Sequence, residues 1–108
     1  MMSSRPRVRV PDTAKAGEII LIRALLSHPM ESGQRRDSSG TIIPRKIVNS
    51  FTCTFNREPV FSCDLEPAIS ANPYFEFHAK IVKSGEFEFA WTDDDGTIYT
   101  HKHTIEVA

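Results

Sequence analysis

Two cysteines, four histidines and a run of three aspartates are the residues of this chain best able to do chemistry. A thiol that carries sulfur must be an exposed thiolate, helped by nearby positive charge. Cys53 stands in an alternating run between Phe51 and Phe55, where a cysteine serves as a small buried hydrophobe. Whether it can bond to Cys63 depends on register. A two-residue Asn56-Arg57 turn sets Cys53 opposite Val60 and sends Cys63 to the other face. A five-residue loop from Asn56 to Val60 would set the two cysteines opposite each other. His101 and His103 are two apart, so on a strand they share a face and could chelate a metal, with a third ligand from His78 or His28. The alternative makes them polar fillers at the edge of a core. Asp93, Asp94 and Asp95 lack the spaced oxygens of a calcium loop and read as a turn. No Ser-His-Asp set, phosphate-binding glycine loop or pair of catalytic carboxylates stands out. The residues point to no enzyme, no cofactor and no dedicated metal site.

The remaining charge cluster is Arg35, Arg36, Arg45 and Lys46, within the irregular segment Ser27 to Lys46. Connections of this length are usually functional or mobile. Asp37-Ser38-Ser39-Gly40 has turn chemistry, so the segment reads as a long loop or ragged hairpin. It is either a solvated loop or a docking surface for an acidic partner or anion.

These groups must be positioned by strands. In Gly85 to Val107, Phe87, Phe89 and Trp91 alternate with Glu88, Ala90 and Thr92, and Tyr99, Ile105 and Val107 resume the pattern after the aspartates. A three-residue loop, Asp94-Asp95-Gly96, puts Trp91 opposite Tyr99 and Glu88 opposite Lys102, with His101 and His103 opposite Phe89 and Phe87. Aromatics then share one face and opposite charges the other. Arg5 to Val10 predicts a short first strand, and Pro11 to Gly17 a connector. Ile47 to Phe55 predicts a strand that turns at Asn56 and returns through Val60 to Cys63. Leu65 to Pro73, with two prolines, reads as an edge piece or crossover. Tyr74 to Val82 alternates with Phe75, Phe77, Ala79 and Ile81 inward.

Glu18 to Leu26 breaks the rule of alternation. Ile20, Ile22, Ala24 and Leu26 form one apolar face, but Ile19, Leu21 and Leu25 nearly fill the other. Strands covered on both sides read this way. Either a loop packs over the second face or another subunit does.

A chain of 108 residues is expected to form one domain with its own core, residues 1–5 being disordered. A net charge of −1 argues against nucleic acid as the main partner. No apolar run approaches the roughly 18 residues of a membrane span. The N-terminus shows no signal peptide. About seven short antiparallel strands, turn signals at short intervals and no helical stretch predict an all-β, immunoglobulin-like β-sandwich. A small metal-binding sandwich using His78, His101 and His103, and a generic adhesion-type module, are the competing classes.

Six segments taken together resemble the SoxZ family, the small partner subunits of SoxYZ sulfur-carrier complexes. They are His28-Pro29-Met30-Glu31 with Gly33, Ile43-Pro44-Arg45, Phe51-Thr52-Cys53, Asn56 with Val60-Phe61, Pro67 to Tyr74, and Trp91 to Gly96. The resemblance implies a sandwich that pairs with a SoxY-type subunit and meets other Sox enzymes transiently. In that family SoxY presents a cysteine on a glycine-rich arm, which carries thiosulfate-derived sulfur in the periplasm. This chain has no Gly-Gly-Cys-Gly-Gly arm and so resembles the non-carrier subunit, exported alongside a partner that bears the signal. Arg57 stands where the family more often has glycine, and Cys63 is extra to the pattern. The expected partner-binding residues are Ile19, Leu21, Leu25, His28, Met30, Arg35, Arg36 and Arg45.

Overall fold

The computed structural model describes residues 5–65 and 73–108. Its strands are β1 (Pro6–Arg9), β2 (Thr13–Ala14), β3 (Glu18–Leu26), β4 (Val48–Phe55), β5 (Glu58–Asp64), β6 (Tyr74–Ile81), β7 (Gly85–Asp93) and β8 (Ile98–Val107). They form a three-stranded sheet, ordered β1-β3-β6, and a five-stranded sheet, ordered β2-β8-β7-β4-β5. The two sheets pack as an immunoglobulin-like β-sandwich.

The β7–β8 ribbon has the expected register. Trp91 faces Tyr99, Glu88 faces Lys102, and His101 and His103 face Phe89 and Phe87. Asp93 donates its amide to the Thr97 carbonyl at 2.8 Å, and Gly96 donates to the Asp93 carbonyl at 2.9 Å. Gly96 closes this loop at φ +87°, a conformation that costs a glycine nothing. The inward side chains Phe87, Phe89 and Trp91 are fully buried and meet Phe51 of β4 and Ile20, Ile22, Ala24 and Leu26 of β3. Phe51 stacks on Phe75 of β6 with centroids 4.3 Å apart and planes 8° from parallel. That contact ties one sheet to the other. Each such side chain contributes about 1.5–3 kcal/mol of burial.

Two features differ from expectation, and a third reading falls outside the described residues. Pro11 to Gly17 is more than a connector. Within it, β2 pairs parallel with β8, Thr13 with Glu106 and Ala14 with Val107, so there are eight strands and one pairing is not antiparallel. A strand of two residues has no alternation to betray it. Next, the Asn56-Arg57 turn has two residues, but a bulge follows. Thr54 pairs with Pro59 and Cys53 with Phe61, leaving Val60 unpaired. The extra residue flips the remainder of β5, so Cys63 lies on the core side opposite Phe51 rather than on the outer face. Both thiols are free. Finally, the reading of Leu65 to Pro73 as an edge or crossover falls mostly on residues 66–72, which lie outside the described residues, as do residues 1–4.

The turn at Asn56 is held from a neighbouring loop. Asn56 Oδ1 accepts the Glu86 amide at 2.9 Å, and its side chain fills the space where a Cβ on Gly85 would stand. Asn56 and Arg57 both sit in the left-handed region, at φ 50° and 69°, as a primed hairpin turn requires. Arginine has no side-chain bond that rewards this conformation. Arg57→Gly should therefore stabilise the fold by about 0.5–1 kcal/mol, and Arg57→Ile should destabilise it. Urea midpoints for the two variants check this, and equal midpoints would contradict it.

Candidate functional site

Residues 27–46 form a ragged hairpin, one of the two forms expected of them. Glu31 and Lys46 exchange backbone hydrogen bonds at 2.9 and 2.8 Å. Asp37 caps the far turn, accepting the Ser39 and Thr41 amides at 2.9 and 3.0 Å. Gly33, at φ +83°, lets the arms approach, since a Cβ there would stand 2.9 Å from Arg45 Cβ.

The hairpin is clamped to the turn between β7 and β8 by two aspartates. His28 is buried, and its Nδ1 accepts the Met30 amide at 2.9 Å. The proton is thereby assigned to Nε2, which donates to Asp93 Oδ2 at 2.7 Å. Lys46 Nζ donates to the same oxygen at 3.0 Å. Asp94 holds the other arm. It accepts Arg45 Nε and Nη2 at 2.8 and 3.0 Å, the Ile47 amide at 3.1 Å and Asn49 Nδ2 at 3.1 Å. Met30 is buried at φ 53°, with its sulfur accepting the Val48 amide at 3.3 Å.

The electrostatics follow from these contacts. Burial works to raise the Asp93 carboxyl, but the hydrogen bonds from His28, Lys46 and the Asp95 amide outweigh it, so it titrates below its ordinary value. The Arg45 hydrogen bonds, aided by Asn49 and the Ile47 amide against some desolvation, hold Asp94 well below the usual carboxylate range. The hydrogen bond to Asp93 raises Lys46. Depressed carboxylates contribute stability that is present above their ordinary pKa of 3.8 and lost as pH falls through their folded values. Raised Lys46 contributes below 10.5 and loses its share as pH rises past its folded value.

This geometry redistributes the expected partner-binding residues. His28 and Met30 are buried and secure the hairpin, so they present no surface. Arg45 is turned onto Asp94. Arg35 pairs with Glu31 at 2.6 Å, and Arg36 donates to the Gly40 carbonyl at 2.8 Å. The basic segment thus spends most of its charge on its own chain. The clamp was missed because its partners lie 45 to 65 residues apart. The one signal was that His28, Arg45, Asp93 and Asp94 all belong to the segments that carry the family resemblance.

Ile19, Leu21 and Leu25 do come together, on the outer face of the small sheet. Ile19 is 66% exposed, and Leu21 and Leu25 are half-buried. Leu25 lies between Arg7 and Tyr74, Arg23 between Arg9 and Glu76, and Leu21 beside His78. The outer face of the large sheet is different. Ser50 faces Thr92, Thr52 faces Ser62, and Glu88 faces Lys102. The outer face of the large sheet is mainly polar, with Ile98 an exposed apolar residue on it, whereas that of the small sheet mixes apolar side chains with arginines, Arg23 lying between Leu21 and Leu25.

His78 lies on that outer face, whereas His101 and His103 face inward across the large sheet. The three do not converge, and among the described residues no three His, Cys, Asp or Glu side chains are placed to hold a metal. Cys53 is buried, which pushes its thiol up to about 12. It is not a thiolate at neutral pH. Cys63 is half-buried and donates to the Asp64 carbonyl at 3.3 Å.

Hydrogen bonds to charged groups contribute about 1.5–3 kcal/mol, so Asp93→Asn should cost about that much stability. It should also flatten the loss of stability below about pH 4 expected of depressed carboxylates. Arg35→Gln, at an exposed pair, should leave the unfolding midpoint unchanged. Urea unfolding of the three proteins between pH 7 and about pH 3 checks this. Equal midpoints for Asp93→Asn and the unaltered chain would contradict the clamp.

Known proteins can now be set beside this geometry. The family model described as "Sulphur oxidation protein SoxZ" matches residues 8–104. A search of curated protein sequences finds no match. Among solved structures, a superoxide reductase (neelaredoxin) from Ignicoccus hospitalis is similar, with a TM-score of 0.73 at 17% identity, covering 95% of this chain and 80% of that one. The sulfur carrier protein SoxY from Chlorobium limicola f thiosulfatophilum is similar too, with a TM-score of 0.69 at 15% identity, covering 95% of this chain and 78% of that one. At such identities the likeness shows the fold alone. The family match spans nearly the whole chain and takes in His28, Arg45, Asp93 and Asp94 of the clamp, and the chain belongs to the SoxZ family of sulphur oxidation proteins.

Proposed function

We propose that this chain is the non-catalytic subunit of a periplasmic sulfur-carrier heterodimer. It scaffolds a SoxY-type subunit, whose arm cysteine carries covalent sulfur intermediates of thiosulfate oxidation. The observation that carries this reading is the outer face of the three-stranded sheet, where exposed Ile19 and Tyr74 and half-buried Leu21 and Leu25 lie on or beside a strand whose opposite face is already core. Obligate interfaces commonly bury about 2,000 Å² or more and resemble a split core, which is what such a face offers. The state of the thiols supports the division of labour. Sulfur transfer needs a reachable thiolate, and the burial that raises Cys53 to about 12 denies it that role. On this reading the working thiol is the partner's, and Cys63, half-buried and donating to the Asp64 carbonyl, serves the strand. A self-sufficient adhesion-type module would have no use for an uncovered apolar face, and the metal reading lacks a converging ligand set.

Leu21→Arg should leave a folded monomer, because the side chain lies on the outer face, and should abolish co-purification with a co-expressed SoxY-type subunit. Undiminished co-purification would overturn the assignment. Intact mass of the complex after exposure to thiosulfate and the oxidising enzymes should show the sulfur adduct on the partner. An adduct on this chain would reverse the roles.

A further inference from the structure

The outer face is cationic as well as apolar. Arg7 and Arg9 of β1, Arg23 of β3 and Lys80 of β6 all lie on it, against one carboxylate, Glu76, in a chain whose net charge is −1. Arg9 and Arg23 are direct cross-strand partners. Like charges in that position repel and destabilise a sheet. Arg23 meets Glu76 at 3.7 Å, but that carboxylate also accepts the Tyr74 hydroxyl at 2.8 Å. Arg7 and Arg9 have no acidic partner among the described residues. In the hairpin Arg35 and Arg45 are each matched to a carboxylate, while Arg36 has the Gly40 carbonyl. What sets Arg7, Arg9 and Arg23 apart is that they share one face, two of them directly opposed across neighbouring strands.

We infer that Arg7, Arg9 and Arg23 form a socket for carboxylates of an acidic segment on the partner subunit, beside the apolar patch of Leu21, Leu25 and Tyr74. The inference rests on the heterodimer reading and names its chemistry. A guanidinium fork binds a carboxylate through two parallel hydrogen bonds, so closely set arginines favour Asp or Glu side chains in register with them. A second copy of this chain is a poor occupant. A two-fold contact through this face would bring together two copies of a surface with a cationic excess, with Glu76 alone among the described strand positions of that face to offset it.

The test uses the complex co-expressed with the SoxY-type subunit and the isolated chain. For the unaltered complex, raising salt from low to high should weaken association about ten-fold, as screening removes the contribution of partly exposed pairs. The double variant Arg7→Gln/Arg9→Gln should weaken association at low salt by about the same factor and flatten the salt dependence. In the isolated chain the single variant Arg9→Gln should raise the melting temperature by about 2–4 °C, because it removes the repulsion with Arg23. A gain alone with a loss in the complex is the signature that separates a socket from general destabilisation. Lys102→Gln, on the polar face, serves as the control and should change neither. An unchanged affinity and salt slope in the double variant overturns the socket while leaving the heterodimer standing. No association at low salt overturns both, and self-association of the isolated chain through this face, strengthened by salt, overturns the choice of occupant.

Discussion

A two-layer sandwich has one interior, and β3 has two apolar faces. That mismatch governs much else in the molecule. Ile20, Ile22, Ala24 and Leu26 are taken up by the core, where they meet the aromatic surface of the large sheet. Ile19, Leu21 and Leu25 are left on the outer face of a sheet of three strands, with no further layer over it among the described residues. A free monomer under no other constraint would carry polar residues there, as it does on the outer face of the large sheet. The asymmetry between the two outer faces is the physical content of the proposal that a second polypeptide completes this fold.

The segments that carry the family resemblance do a different job. Three of them, around His28, Arg45 and Asp93-Asp94, converge on one joint, where the two aspartates grip both arms of the 27–46 hairpin. The joint combines a buried neutral imidazole, a lysine, a bidentate arginine and two carboxylates kept ionised by their donors. Removing His28 would take a donor from the buried Asp93 carboxylate, which is costly in a low-dielectric setting, whereas Arg45 and Lys46 meet their aspartates nearer the solvent. Residue types that look suited to catalysis or metal binding are thus used to fasten a long connection to a rigid ribbon. The hairpin leaves β3 at Leu26, so fastening it also limits the movement of the strand that bears the exposed face.

How much of this was legible from residues alone depended on range. Alternation exposed the β7–β8 ribbon and its register, because the turn chemistry and the aromatic pairing agree within about twenty residues of chain. It exposed both faces of β3 for the same reason. It could not show β2, which is two residues long and held by the carbonyls of Asp12 and Ala14 accepting amides from β8. Nor could it show the bulge at Val60, which moves Cys63 across the sheet without altering the local composition. The clamp needs contacts between residues far apart in sequence, which neither the solvated-loop nor the docking-surface reading of the basic segment contains. Arg45 pairs with Asp94 and Lys46 with Asp93, so part of the segment's charge serves as an internal fastening.

The central claim is that another protein covers the outer face of β3. Side-chain footprinting of the chain alone and in complex with a SoxY-type subunit measures this most directly. Ile19 and Tyr74, the exposed members of this face, should be modified readily in the free chain and strongly protected in the complex, while Ile98 on the large sheet stays equally reactive in both. Equal reactivity of Ile19 and Tyr74 in the two states, with complex formation verified, would show that the partner docks elsewhere and that the apolar residues on the outer face of β3 have another cause.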